Sequence, residues 1–254
     1  KLLAGYESEF GDMPLRSSLR RRATEGRVLL GRSQLALSRG DLAEAATLSG
    51  QAETNISGAA ERAEREFGGY FDAVPRWQAE AAETIAWSKR TQWTAIIVDK
   101  LGRTCRVYKG GRLTASYPVE LSTNWVGDKR HRGDKATPEG RYKVMRKRGP
   151  GATKYYKALE IDYPNAEDVA RYRAAKKRGE IPAGVGIGSL IEIHGHGGRG
   201  GDWTEGCVAL RDEHMDKVFA AASVGTPVLI VGALAPPASG PESRAGGTLS
   251  SGRP

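Results

Sequence analysis

The sequence predicts an α+β protein, with an α-helical hairpin region in front and a mostly β domain behind it. Three observations carry the prediction. From Leu15 to Ser38 apolar residues return every three to four positions, without proline. From Trp93 onward the period shortens, and short apolar runs alternate with glycine-containing turns. Finally, a histidine, a glycine-rich stretch and a cysteine gather within residues 191–210, a combination that speaks of chemistry more than of packing.

Composition narrows the classes. The chain has 254 residues, with 39 Lys+Arg against 30 Asp+Glu for a net charge of +9, and is 39% hydrophobic. One medium domain with an appended element, or two small domains, fit that length, and a chain of this size buries roughly 70–75% of its unfolded surface without a staple. No apolar run approaches the ~18 residues needed to span a bilayer. The segment at Lys1 has no signal-like hydrophobic stretch, which fits a cytosolic protein or one whose export segment precedes this numbering. Two cysteines, Cys105 and Cys207, form no disulfide framework; they allow one bridge or leave a working thiol. The basic balance favours an anionic partner: nucleic acid, an envelope polymer or lipid headgroups.

The elements follow in order. Residues 1–14 read as a lead-in, and residues 15–90 as the helical region. Leu19, Ala23, Leu30, Gln34 and Leu37 mark the first helix. Gly40-Asp41 ends it, and Asp41 is a suitable N-cap for a second helix to about Glu66. The turn with Leu42, Ala45, Ala46 and Leu48 resembles one helical-hairpin repeat, but a solenoid needs at least three. A third helix is expected near Pro75–Lys89, and the region as a whole is expected to pack or to dock a partner.

Residues 93–232 form the second domain. Strands are expected at Thr94–Val98, Arg103–Tyr108, Arg112–Val119, Arg141–Met145, Lys157–Ile161, Ser189–His194 and Pro227–Val231. Helices are expected at Asn165–Arg178 and at Asp212–Ala222, the latter capped by Asp212. Residues 233–254 collapse into Pro, Ala, Ser and Gly and read as a disordered tail.

The chemistry concentrates after Ile191. His194 ends a strand, and six of the next twelve residues are glycine before Cys207 follows Gly206. Glycines let backbone amides approach a substrate closely. Thiolate is the nucleophilic form of cysteine, so Cys207 needs a base within hydrogen-bond reach. The thirteen residues from His194 to Cys207 are enough for a loop to return one to the other. A metal reading through His194, His196, Asp202, Cys207 and His214 is weak, with one thiol and no second spaced pair. A phosphate cradle is weaker still, because Gly-Lys-Ser/Thr is absent. No metal and no organic cofactor are expected.

The run His194-Gly195 … Thr204-x-Gly206-Cys207-Val208 resembles the signature of the YkuD-type L,D-transpeptidases, and Thr137-Pro138-Glu139-Gly140 resembles that family's Thr-Pro-x-Gly segment. Asp162-Tyr163-Pro164-Asn165 and the stretch Gly186–Ile193 fit the same pattern, and the resemblance covers roughly residues 94–232. It implies a β-rich catalytic domain of the bacterial envelope acting on peptidoglycan stem peptides. In such enzymes the cysteine attacks the carbonyl after diaminopimelate, releases D-alanine, and passes the acyl group to an amine or to water. Carried over, Cys207 is the nucleophile and His194 its base, Gly206 and Cys207 offer oxyanion amides, and Thr204 and Gly195 are motif residues. Many members have Arg two residues after the cysteine, where this chain has Ala209. That variant, with Asp202-Trp203-Thr204, is similar to a YafK-type branch in which some members hydrolyse peptidoglycan–lipoprotein links.

Lys129, Arg130, His131, Arg132 and Lys135 cluster before the Thr-Pro segment, and guanidinium groups pair well with stem-peptide carboxylates. Lys129, Arg132, His196 and Trp203 are therefore candidate substrate-binding residues, with a solvated loop as the alternative for Lys129, Arg132 and His196. Trp125 and Trp203 either wall a cleft or pack, and Cys105 is expected to be a buried structural thiol. The expected function is peptidoglycan L,D-transpeptidation in the periplasm or cell envelope. Its alternatives are hydrolysis by the same nucleophile (as a carboxypeptidase or amidase) and a non-catalytic peptidoglycan-binding module. The helical region is a candidate dock for an envelope lipoprotein or another protein. Nucleic acid is not expected, because no known motif interleaves the basic residues with aromatics.

Overall fold

The computed structural model describes residues 1–11, 13, 15 and 17–235; the expected tail falls, from residue 236 on, outside them. Contacts divide the described chain into two units, residues 1–72 and 73–235.

The first unit is helical: α1 (Leu2–Phe10), α2 (Ser17–Ser38) and α3 (Leu42–Phe71). α1 lies in what the sequence presents as a lead-in. Its Tyr6 and Phe10 are buried, with ring centroids 5.6 Å apart. Asp41 caps α3 as expected, its side chain accepting the Glu44 N–H at 2.9 Å. α2 and α3 pack as a hairpin whose interior is built largely of small residues, Ala36, Ala52, Ala59 and Ala63. α3 runs past Glu66 to Phe71, because buried Phe67 prolongs its apolar face.

The second unit opens with α4 (Val74–Thr91), which lies on the sheet through Trp77, Ala81, Thr84 and Ser88. Eight strands follow: β1 (Thr94–Asp99), β2 (Thr104–Lys109), β3 (Arg112–Pro118), β4 (Gly140–Arg148), β5 (Ala158–Ile161), β6 (Glu192–His194), β7 (Val208–Ala209) and β8 (Pro227–Val231). Their order is β3-β2-β1-β8-β4-β5-β6-β7. β1 is buried along its whole length and runs parallel to β8, as its unbroken Ala-Ile-Ile-Val run requires of a central strand. β4 links the two halves, pairing with β8 through residues 140–143 and with β5 beyond. Between these stretches the register shifts at Met145, a bulge that bends the sheet.

The bend matters for the site. The chain leaving β3, at one end of the strand order, meets β7 at the other. Glu120 and Ala209 exchange backbone hydrogen bonds of 2.9 and 2.8 Å, and Ser122 bridges to Thr204. The curled sheet therefore clasps the segment that carries Cys207.

Two helices complete the unit. α5 (Ala166–Lys177) begins with a capping box, in which Asn165 accepts the Asp168 N–H and Asp168 accepts the Asn165 N–H. α6 (Asp212–Ala221) departs from expectation at its start. Arg211 is the N-cap residue, and the Asp212 carboxylate does not cap the helix but accepts the His196 N–H at 2.7 Å. Among the described residues no helix is long and apolar enough to cross a membrane.

Candidate active site

His194 ends β6, paired with Ala209 of β7, and the segment entering β7 brings Cys207 alongside Glu192 on the same sheet edge. The parallel pairing of β6 and β7 returns the segment to β6, with Cys207 opposite Glu192 and its thiol bonded to the Leu190 carbonyl and not to His194. His194 is wholly buried. Its Nδ1 lies 2.6 Å from the Gly195 carbonyl, which fixes the proton on Nδ1 and leaves a lone pair on Nε2. Nε2 is buried and has no hydrogen-bond partner. Burial holds this imidazole at a pKa of about 4, the Gly195 bond raises it, and the charges of Lys154, His196 and Arg199 lower it further.

Cys207 is partly exposed and free. Its thiol donates to the Leu190 carbonyl at 3.7 Å. Burial pushes its pKa to about 11; the Glu192 amide, Lys154 and Lys129 pull the other way, and the Glu192 carboxylate adds to the rise. The resting pair is thus a neutral thiol and a neutral imidazole. Leu190 and His196, at either end of β6, have left-handed backbone (φ +58° and +64°), a cost of about 1–2 kcal/mol each for residues other than glycine. At Leu190 that conformation accompanies a carbonyl directed at the thiol.

The turn into Cys207 is built from its neighbours. The Thr204 hydroxyl donates to the Cys207 carbonyl at 2.7 Å and stands 3.4 Å from the Gly206 N–H. Gly206 has φ +131°, and an added Cβ would stand 2.8 Å from the Ala136 carbonyl oxygen, so only glycine fits. Gly195 is equally confined, because a Cβ there would meet Asp212 Oδ1 at 2.6 Å. The glycine loop itself is pinned. Glu120 accepts from Gly200 N and from Trp203 Nε1 at 2.8 and 2.7 Å, while Asp202 accepts from Leu121 N and pairs with Arg103 at 2.6 Å.

The remaining candidates divide. Trp203 stands beside the histidine, ring centroids 5.8 Å apart. His196 is exposed on the loop. Lys129 is buried, its ammonium held by Asp134 at 2.7 Å and by the His131 carbonyl, next to Gly206. Arg132 is exposed, with its backbone against Gly188. Trp125 packs in the interior under the Arg103 guanidinium, 4.4 Å from its ring centre. Cys105 is the buried thiol expected, pushed up to about 12 by burial.

The basic segment is ordered by Asp134, which accepts from the backbone of Arg130, His131 and Ala136. Together with α5 it borders a cleft of about 710 Å3 lined by Lys129, Arg130, Asp134, Ala136, Arg171 and Arg178. Lys129 and Ala136 belong both to this cleft and to the packing around Gly206. Among the described residues no group of three or more His, Cys, Asp or Glu gathers as a metal site.

Three residues near the pair carry no motif. Tyr155 lies flat on His194, with centroids 3.5 Å apart and planes 5° apart. Lys154 places its ammonium 5.0 Å from the Tyr155 centroid. Glu192, with Glu160, shares the guanidinium of Arg148. The Lys154-Tyr155-Tyr156-Lys157 run after a Gly-Pro-Gly turn is their one mark in the sequence.

Over this curled, mostly β unit the profile of the L,D-transpeptidase catalytic domain, YkuD, matches residues 94–230, and the chain belongs to that family. A curated relative from Escherichia coli K12, described as "Putative L,D-transpeptidase YafK", is 30% identical over 109 residues, covering 42% of this chain and 37% of that protein; its counterpart in strain O157:H7 gives the same figures. The chain thus spans little more than a third of the length of these relatives. Among solved structures, Bd1075 of Bdellovibrio bacteriovorus aligns at 24% identity over 55% of this chain and 48% of that one, with a TM-score of 0.40. An L,D-transpeptidase from Mycobacterium smegmatis aligns at 12% identity over 54% and 58%, with a TM-score of 0.36.

Proposed function

We propose that the protein is a cysteine-dependent peptidoglycan L,D-transpeptidase of the periplasm or cell envelope. The observation that carries this reading is the buried His194, its Nδ1 committed to Gly195 and its Nε2 unpartnered, one strand away from a partly exposed Cys207. The Cys207 sulfur attacks the carbonyl after diaminopimelate in a stem peptide, and its proton passes to His194 Nε2. The developing oxyanion is received by the Gly206 and Cys207 amides. His194 then returns the proton to the departing amine of D-alanine. In the second step an amine attacks the thioester and restores the thiol.

The resting protonation states dictate how the first step runs. At a pKa of about 11, roughly one Cys207 in ten thousand is a thiolate at pH 7. Moving its proton to an imidazole of about 4 is uphill by on the order of 10 kcal/mol. The proton therefore leaves as the carbon–sulfur bond forms, and no free thiolate accumulates. This makes the thiol inert until a carbonyl is seated.

The cleft beside Lys129 is walled by ion pairs, Lys129 with Asp134, Arg130 and Arg178 with Glu180, and Arg171 with Asp128, and stem-peptide carboxylates would bind there by exchanging with these partners. The helical residues 1–72 serve to dock an envelope partner. Transfer of the acyl group to water is the second reading. Ala209 favours it, since at that position the chain offers a buried methyl and no cation. Mass spectrometry of sacculi digested after incubation with wild type and with Cys207→Ala tests both. New links between two diaminopimelate residues, made by wild type alone, establish transpeptidation. Loss of existing links without new ones establishes hydrolysis, and identical digests leave only a binding role.

A further inference from the structure

We infer that Tyr155 is a positioning residue for this reaction: its ring lies on the imidazole of His194, closes that face to water, and keeps Nε2 directed as a proton acceptor. The inference rests on the acyl-transfer reading for its purpose, although its geometry stands apart from it.

The contact is close and coplanar, 3.5 Å between centroids and 5° between planes. It holds a ring that has only one hydrogen bond of its own, from Nδ1 to Gly195. An imidazole with a single anchor is free to rock about that bond, and a flat neighbour removes the rocking. Trp203 supplies a second wall, 5.8 Å from His194 and tilted by 67°. Trp203 is itself held by Glu120 at 2.7 Å and covered by the Arg199 guanidinium at 3.5 Å. Tyr155 is steadied through Lys154, whose ammonium lies 5.0 Å from the ring centre, and through its own N–H, which donates to Thr153 Oγ1 at 3.2 Å. Both walls thus have supports of their own, and they also meet each other, with Tyr155 and Trp203 ring centroids 6.4 Å apart, so they close adjacent sides of His194.

Exclusion of water has a chemical consequence. A buried imidazole with no carboxylate partner disfavours its cation, and the charged groups around it add to this: Lys154 from the β4–β5 loop, and His196 and Arg199 from the glycine loop. Across Tyr155 stand Cys207 and Glu192. Removing the Tyr155 ring lets water solvate the imidazolium, so the base becomes protonated nearer neutrality.

Imidazole titration by NMR on the full chain, labelled at its four histidines, tests this without any substrate; the His194 signals are assigned by their loss in His194→Asn. In wild type His194 should hold the Nδ1–H tautomer and stay neutral above pH 5. Tyr155→Leu should raise its midpoint by at least one unit, a tenfold gain in proton affinity, whereas Tyr155→Phe should leave it in place. The acid limb of kcat/KM on muropeptides should move with it. Equal midpoints in wild type and a folded Tyr155→Leu overturn the inference. Exchange of the His194 Cε1 proton in wild type gives a second readout: a midpoint of about 6.5, the value of a free imidazole, also overturns it. If the titration shifts but no variant acts on peptidoglycan, the positioning role stands and the functional reading falls.

Discussion

Replacing His194 with Asn should make the second unit less sensitive to acid, and the size of the effect follows from burial. The imidazole has a pKa of about 4 when folded and ~6.5 when the chain is unfolded. Between those values the folded state binds fewer protons. The stability this group contributes is therefore fully present above pH 6.5 and lost as the pH falls toward 4. The whole swing is about 3 kcal/mol, and about 2 kcal/mol of it is spent by pH 5, at 1.36 kcal/mol per unit. Asp128 runs the other way. Burial raises its carboxyl to about 6, so its contribution is present below ~3.9 and is lost as pH rises through 6. It titrates in both proteins and cancels in their difference. Urea unfolding between pH 7.5 and pH 5, followed by tryptophan fluorescence, measures the effect. All five tryptophans (Trp77, Trp87, Trp93, Trp125 and Trp203) lie within residues 73–235, so the signal reports this unit alone. The variant should be less stable at pH 7.5, where packing is lost, but should lose about 2 kcal/mol less on acidification. Parallel pH dependences would refute the neutral, buried imidazole on which the reaction scheme stands.

Other outcomes are expected. Alkylation of Cys207 by iodoacetamide should be slow at pH 7 and climb tenfold per pH unit to pH 10, and Lys154→Gln should slow it further by removing a nearby cation; rapid labelling at pH 7 would contradict a protonated resting thiol. Gly206→Ala should abolish muropeptide turnover and lower Tm by several degrees, because the Ala136 carbonyl leaves no room for the methyl. Thr204→Ser should keep most activity and Thr204→Val should lose tenfold or more in kcat/KM, since the hydroxyl bond to the Cys207 carbonyl shapes the turn. Glu120→Gln should weaken the hold on Trp203 and Gly200, which proteolysis within residues 195–203 would register as faster cleavage.

Much of this was legible in the sequence, and the exceptions are physical. β1 and β8 read directly because both are central strands of continuous apolar residues. Asp41 reads as a cap because capping is a local interaction, whereas Asp212, read the same way, instead accepts the distant His196 N–H, a contact that sequence spacing does not show. β4 extends to Arg148, past the expected Met145, because the charges that argue against a strand are partnered, Arg148 with Glu160 on the neighbouring strand and Lys147 with the Phe219 and Ala222 carbonyls at the end of α6. β7 has only two residues, too few for any period. In α1, Leu2, Tyr6 and Phe10 stand four apart, but nine residues are too short for propensity to decide. At the site, Cys207, His194, Thr204 and Gly206 are visible as a motif. Tyr155 is not, because its stacking on a residue 39 positions away exists only once β5 and β6 have paired.

The clasp between Glu120 and Ala209 joins residues 89 apart in the chain and ties the first half of the sheet to its last strand. Hydrogen exchange sees such a pairing as belonging to the whole. The amides of Glu120, Ala209 and Leu210 can open only when the sheet does, so their protection should equal that of β1 in the core. Cys207 is then mounted on the slowest-exchanging part of the fold, and the cooperativity of the domain itself keeps it in register with His194.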